Sequence, residues 1–220
     1  MNDIQSILSI AKRTLEIESK AVANLIDLLD AQFAEAVQYI LESQGRVVVS
    51  GVGKSAIVAS KIVATLNSTG TPAIFMHAAD AIHGDLGTIQ ENDVVICISK
   101  SGNTPEIKAL LPLIKIGKNK LIGITGNMDS VLAKQADFVL NTYVEKEACP
   151  NNLAPTTSTS AQMAMGDALA ICLLELKGFS SADFAKYHPG GALGKKLYLR
   201  VADIVVNNEK PLVDVNTSVK

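Results

Sequence analysis

Five short runs of apolar residues, each closed by turn residues and parted from the next by a stretch of helical period, constrain this chain more than any other feature. The runs lie at Arg46–Ser50, Ala73–Met76, Val94–Ile98, Lys120–Thr125 and Phe138–Asn141. Continuous apolar runs of this length suit strands buried on both faces of a parallel sheet. Helical segments follow, to about Asn67, over Pro105–Ile116, over Met128–Ala136 and on to Leu176. Strands alternating with helices require parallel βαβ units, so the expected fold is a three-layer α/β/α sandwich around a five-stranded parallel sheet. Ligands of such sheets bind at the carboxyl ends of the strands.

Ahead of the first strand, apolar residues from Ile4 to Leu29 recur at three- and four-residue steps and predict a long amphipathic helix. A second follows from Ala31 to Leu41. Residues 1–44 therefore read as a helical pair that packs either on its own core or on a partner subunit. The 220 residues are 48% apolar and 19% charged, which provides for a large core. A net charge of −2 with no lysine or arginine cluster argues against a nucleic-acid partner. No run reaches membrane-spanning length without polar interruption, and the first residues carry no cationic leader. With three scattered cysteines in place of a disulfide framework, the expectation is a soluble, cytoplasmic protein.

The third run opens directly into Ser99-Lys-Ser-Gly-Asn-Thr104, followed by Pro105 at a helix start. Ser99, Ser101 and Thr104 offer three hydroxyls within six residues, Thr104 is an acceptable N-cap, and Pro105 suits the first helical position. The helix would aim its free N–H groups and positive dipole end at this loop, an outline suited to a phosphate. An ordinary capped turn would have the same composition.

The first run ends in Ser50-Gly-Val-Gly-Lys-Ser55, and Gly51 and Gly53 with Ala56 imitate a dinucleotide fingerprint. The second run is followed by His77, where that fingerprint needs an acidic residue for the ribose. Gly53-Lys54-Ser55 ends like a phosphate-binding P-loop, but Val48 stands where its first glycine should be. What survives is a glycine turn that brings backbone close to a ligand, with Lys54 either beside it or simply solvated.

A second polar constellation lies in the last third. Glu145-Lys-Glu-Ala-Cys-Pro150 follows the fifth run, and Thr156 to Ser160 place five hydroxyls at the head of the last long helix. Further on, Tyr187-His-Pro-Gly-Gly-Ala-Leu-Gly194 holds His188 before a proline, which disfavours helical geometry there.

Taken together, Gly51–Ser55, Ser68–Pro72, Ala81–Gly87, Ile98–Thr104, Lys146–Pro150, Leu153–Thr156, Met165–Leu169 and His188–Gly194 resemble the sugar isomerase (SIS) domain and, within it, the arabinose-5-phosphate isomerases. The resemblance implies a flavodoxin-like sheet over residues 45–200 and the opening of a truncated CBS regulatory module at 201–220. It implies interconversion of D-ribulose 5-phosphate and D-arabinose 5-phosphate through a cis-enediol, feeding 3-deoxy-D-manno-octulosonate (Kdo) synthesis for lipopolysaccharide or capsule. Ala56-Ile57 departs from the Gly-His expected after Lys54-Ser55.

By the same resemblance, Ser99, Ser101 and Thr104 hold the phosphate, with Ser50, Gly51, Gly53, Ser55, Gly102, Asn103, His83 and Glu106 as further contacts. Lys54 stabilises the enediolate. Glu147 is the base toward carbon and His188 the acid–base for ring or hydroxyl protons, two roles that could be exchanged. The chemistry requires no cofactor, and only an inhibitory metal at His83 is left open. Because the corresponding histidine of related proteins comes from a neighbouring subunit, a dimer or tetramer with shared active sites is expected. The alternatives are a non-catalytic sugar-phosphate sensor and an SIS isomerase of another phosphosugar.

Overall fold

The apolar runs become five strands: β1 (Val47–Gly51), β2 (Ala73–His77), β3 (Val94–Ile98), β4 (Leu121–Thr125) and β5 (Phe138–Asn141). All pair in parallel, in the order β2-β1-β3-β4-β5. The computed structural model describes residues 3–188. Two compact units divide the chain, Met1–Gly178 and Phe179–Lys220. The expected CBS opening at 201–220, and the part of the His188 motif beyond His188, lie outside the described residues.

Every residue of β1, β3 and β4 is buried, whereas β2 and β5 are partly exposed. The unbroken apolar runs thus mark the three central strands, covered on both faces. Successive residues point to opposite faces, and two cores result. Val47, Val49, Ile96 and Ile122 pack under α3 (Lys54–Ser68) and α7 (Thr157–Leu176). Val48, Val95, Cys97 and Leu121 pack under α5 (Pro105–Ile116). Gly166 lets α3 and α7 close on each other, since a Cβ there would lie 2.3 Å from Ile62 Cδ1.

Three expected elements differ in extent. The first helix ends at Asn24 as α1 (Ile4–Asn24) and continues as a 3₁₀ turn, Leu25–Leu28. Asp30 then starts α2 (Ala31–Glu42), its carboxylate accepting from Gln32 N (3.0 Å) and Phe33 N (3.4 Å). The polar segment after β2 folds into a short α4 (Ala78–Ala81) and a 3₁₀ turn, Asp85–Thr88. The helix expected from Met128 is only α6 (Val131–Gln135), because Ser130 caps it through Ala133 N at 3.2 Å. α1 and α2 pack against α7 and β5, while Ile4, Ile7, Leu8, Ile10 and Leu15 of α1 stay exposed. In the second unit, Ser180 and Asp183 form a reciprocal capping box that begins α8 (Ser181–Tyr187).

At the amino ends of the strands, Asp93 is the charged anchor. Its carboxylate is buried, lies 2.8 Å from Arg46 Nη2, and accepts from Arg46 N (2.8 Å) and Gln90 N (2.9 Å). Burial pushes its pKa up, but the Arg46 guanidinium and these N–H groups outweigh it and hold the acid below its ordinary 3.8. Asp93→Ala leaves Arg46 N and Gln90 N, at the amino ends of β1 and β3, without their common acceptor, so denaturant unfolding is expected to show a loss of about 1–3 kcal/mol; an unchanged unfolding midpoint would contradict the anchoring role.

Candidate active site

The strand order reverses between β1 and β3, whose following helices α3 and α5 cover opposite faces. Such a switch point opens a crevice at the carboxyl ends of the strands. Gly51 pairs in register with Ile98, which sets Ser50 and Gly51 beside the start of the Ser99 loop. Gly51 is needed because a Cβ there would lie 2.9 Å from the Ser55 carbonyl, and Gly53 takes a positive φ of 57° as the chain enters α3. Ser50 is fully buried, and its Oγ has no protein partner among the described residues. Lys54, the first residue of α3, is exposed. Ser55 donates to Gln162 Oε1 of α7 at 3.2 Å.

The Ser99–Thr104 loop is tightly built. Ser99 Oγ lies 2.8 Å from Thr104 Oγ1 and accepts from Gly102 N at 3.0 Å. Ser101 Oγ accepts from Asn103 N at 3.2 Å, and Asn103 Oδ1 accepts from Val131 N at 3.0 Å. Gly102 carries φ +64°, and a Cβ there would meet Ser130 Oγ at 2.0 Å, so the loop lies flush on the β4–α6 connection. Thr104 occupies the N-cap position, yet its side chain makes no cap bond because Ser99 engages the hydroxyl. That corrects the expected capping role. It also leaves the first N–H groups of α5, beside half-buried Glu106, without a capping side chain, which is the arrangement that receives an anion.

Glu147 is tied to this loop through a residue that the sequence did not single out. Lys100 Nζ, from the middle of the loop, lies 2.6 Å from Glu147 Oε1. The other carboxylate oxygen, Oε2, accepts from Thr156 N (2.9 Å) and Ser158 N (3.1 Å) at the start of α7. Glu147, from a distant loop, therefore caps α7, while the Thr156 side chain at the N-cap position makes no cap bond. Burial pushes the Glu147 pKa up, but the Lys100 ammonium and the N–H and hydroxyl donors at α7 prevail and hold it at about 2. Thr157 Oγ1, buried nearby in sequence, has no protein partner among the described residues. It borders a hollow of about 730 Å³ between α1 and the loop after β5, whose lining includes no residue of the Ser99 loop.

The remaining candidates are more scattered. His83 is exposed beyond α4, and no described hydrogen bond or ion pair joins it to the loop. Among the described residues no three His, Cys, Asp or Glu side chains gather as a metal-holding group. His188 belongs to the second unit, where the backbone leaves the helix (φ −126°, ψ 55°), the ring stacks on Phe184 at 3.9 Å, and Nδ1 lies 2.9 Å from the Phe184 carbonyl oxygen. Lys100, Thr157 and Gln162 were missed. Long-range pairing carries no local pattern, although the run of hydroxyls at Thr156–Ser160 was a signal.

With this geometry in view, comparison with known proteins defines the class. The model of the SIS domain matches residues 40–172. This chain belongs to the SIS domain family. It is 51% identical over 209 residues to the arabinose 5-phosphate isomerase KdsD of Pseudomonas aeruginosa, covering 94% of this chain and 64% of that protein. It is 48% identical over 215 residues to the arabinose 5-phosphate isomerase KpsF of Escherichia coli O6:H1, covering 97% and 65%. The chain thus spans less than two thirds of the length of these relatives. A structure from E. coli CFT073 in complex with arabinose 5-phosphate superposes with a TM-score of 0.83 at 43% identity, covering 86% of this chain and all of that one.

Because the Glu147 pKa is lower folded than unfolded, the stability it contributes is present above its ordinary 4.5 and is lost as pH falls toward about 2. That contribution is on the order of 3 kcal/mol. Glu147→Gln should flatten the fall in denaturation midpoint between those two pH values; an unchanged slope would show that the carboxylate is not held as described.

Proposed function

We propose that this chain is an arabinose-5-phosphate isomerase, interconverting D-ribulose 5-phosphate and D-arabinose 5-phosphate and supplying Kdo synthesis in the cytoplasm for lipopolysaccharide or capsule. The observation that carries the proposal is the likeness to the structure holding arabinose 5-phosphate, which this chain covers completely. It is supported by the Ser99–Thr104 loop at the switch point, with uncapped α5 behind it.

In this reading the phosphate sits on Ser99, Ser101 and Thr104 and on the α5 N-terminus, with Gly51, Gly53 and Ser50 lining the approach. Phosphate binding away from the reacting carbons fixes their position. Glu147 takes the proton from one carbon as the cis-enediol forms and returns it to the other. Lys54 stabilises the developing enediolate charge. His188 moves the ring and hydroxyl protons, and His83 and Glu106 contact the sugar. The exposed apolar residues of α1 support a homodimer or tetramer in which a second copy covers them.

The test is turnover. Purified protein is expected to form arabinose 5-phosphate from ribulose 5-phosphate in a discontinuous assay, and Glu147→Gln to lower kcat at least about 100-fold. Binding of the sugar phosphate with no turnover would favour a sensor, and full activity of Glu147→Gln would remove its assigned role.

A further inference from the structure

A carbon base held at about pKa 2 is well ionised but weakly basic. The geometry around Lys100 offers a way out. Lys100 sits between Ser99 and Ser101, on the loop that would hold phosphate, yet its ammonium is turned to Glu147 at 2.6 Å. The partners differ sharply in setting, with the Glu147 side chain 0% and the Lys100 side chain 44% exposed. Glu147 is also pinned by Thr156 N, Ser158 N and, at 3.4 Å, Thr156 Oγ1. Among the described residues, Lys100 Nζ has no polar contact besides the carboxylate, so the cation is the partner free to move.

We propose that Lys100 is a substrate-operated switch on Glu147: the phosphate of the bound sugar draws the Lys100 ammonium away from the carboxylate, and so releases Glu147 to take the proton from carbon. The proposal rests on the reading of Glu147 as the base. A phosphate dianion carries more charge than a carboxylate and three strong acceptor oxygens, so it competes well for an ammonium on a flexible stem. A buried carboxylate that loses its counter-ion gains proton affinity. The α7 N–H groups keep Glu147 in place throughout, so its basicity changes without its position.

No other charged side chain among the described residues lies within ion-pair distance of Glu147. Glu145 and Lys146 of its own loop and Lys54 of α3 are exposed, and Glu106 of α5 is half-buried. The α7 N-terminus adds dipolar and N–H stabilisation that substrate leaves unchanged. Lys100 thus meets the substrate at its phosphate and acts on the reacting carbon only through Glu147.

The deciding experiment is a ¹³C NMR titration of the Glu147 side-chain carboxyl, in the whole chain labelled at glutamate and assigned by the signal missing from Glu147→Gln. In the free protein Glu147 is expected to stay ionised at about pH 4. Saturating inorganic phosphate should raise its titration above that of the free protein, toward the ordinary glutamate value of 4.5. Lys100→Met should titrate at that upper value with or without phosphate. A Glu147 titration unmoved by phosphate, or a Lys100→Met protein that titrates like the parent, would overturn the switch. If Lys100→Met does not fold, the parent protein with and without phosphate decides the matter. The titration needs no turnover, so its outcome is separate from that of the Glu147→Gln assay, which tests the base itself.

Discussion

One buried carboxylate ties the candidate site to the fold. Glu147 caps the long helix α7 of the sheet's outer layer through Thr156 N and Ser158 N, and reaches across to the Ser99 loop through Lys100. Removing the charge would leave the α7 N–H groups and the loop without their common partner. Each bond is ordinary, but together they place a loop after β3, a loop after β5 and the start of α7 in one rigid relation. The α7 bonds would hold the base in place when an anchored phosphate draws Lys100 away, so that a reacting carbon can be set against it.

Beneath it, the sheet contributes a different constraint. Three central strands with no exposed residue hold β1 and β3 in register, so Gly51 and Ile98 end side by side. Close packing at Gly51 and Gly102 then makes both loops rigid, since neither position has room for a side chain. Charge at the opposite end, the Arg46–Asp93 pair, locks the same two strands. The crevice is therefore clamped from both ends of β1 and β3. Cys97, between them, is an apolar filler whose thiol burial pushes up to about 12.

Much of this was legible in the sequence because it is written locally. Unbroken apolar runs marked the strands, Pro105 marked the start of α5 to the residue, and the family's motifs marked the Ser99 loop. The errors share one cause. Thr104 looked like a cap and Thr156 stood at the head of α7, but a side chain can satisfy either a local or a distant partner, and at these two helix starts Ser99 and Glu147 won. Lys100 read as one more loop residue because its meaning lies far along the chain at Glu147. The start of α2 turned on a single carboxylate, Asp30.

The central claim is that a carbon-bound proton of ribulose 5-phosphate passes through a base of this chain. It is tested most directly by incubating ribulose 5-phosphate with the protein in D₂O and following the sugar by ¹H and ¹³C NMR. The account predicts arabinose 5-phosphate carrying solvent deuterium at C2, with no incorporation by Glu147→Gln. A sugar phosphate that binds, as seen by line broadening, while its carbon-bound protons stay unexchanged and no aldose appears would contradict it.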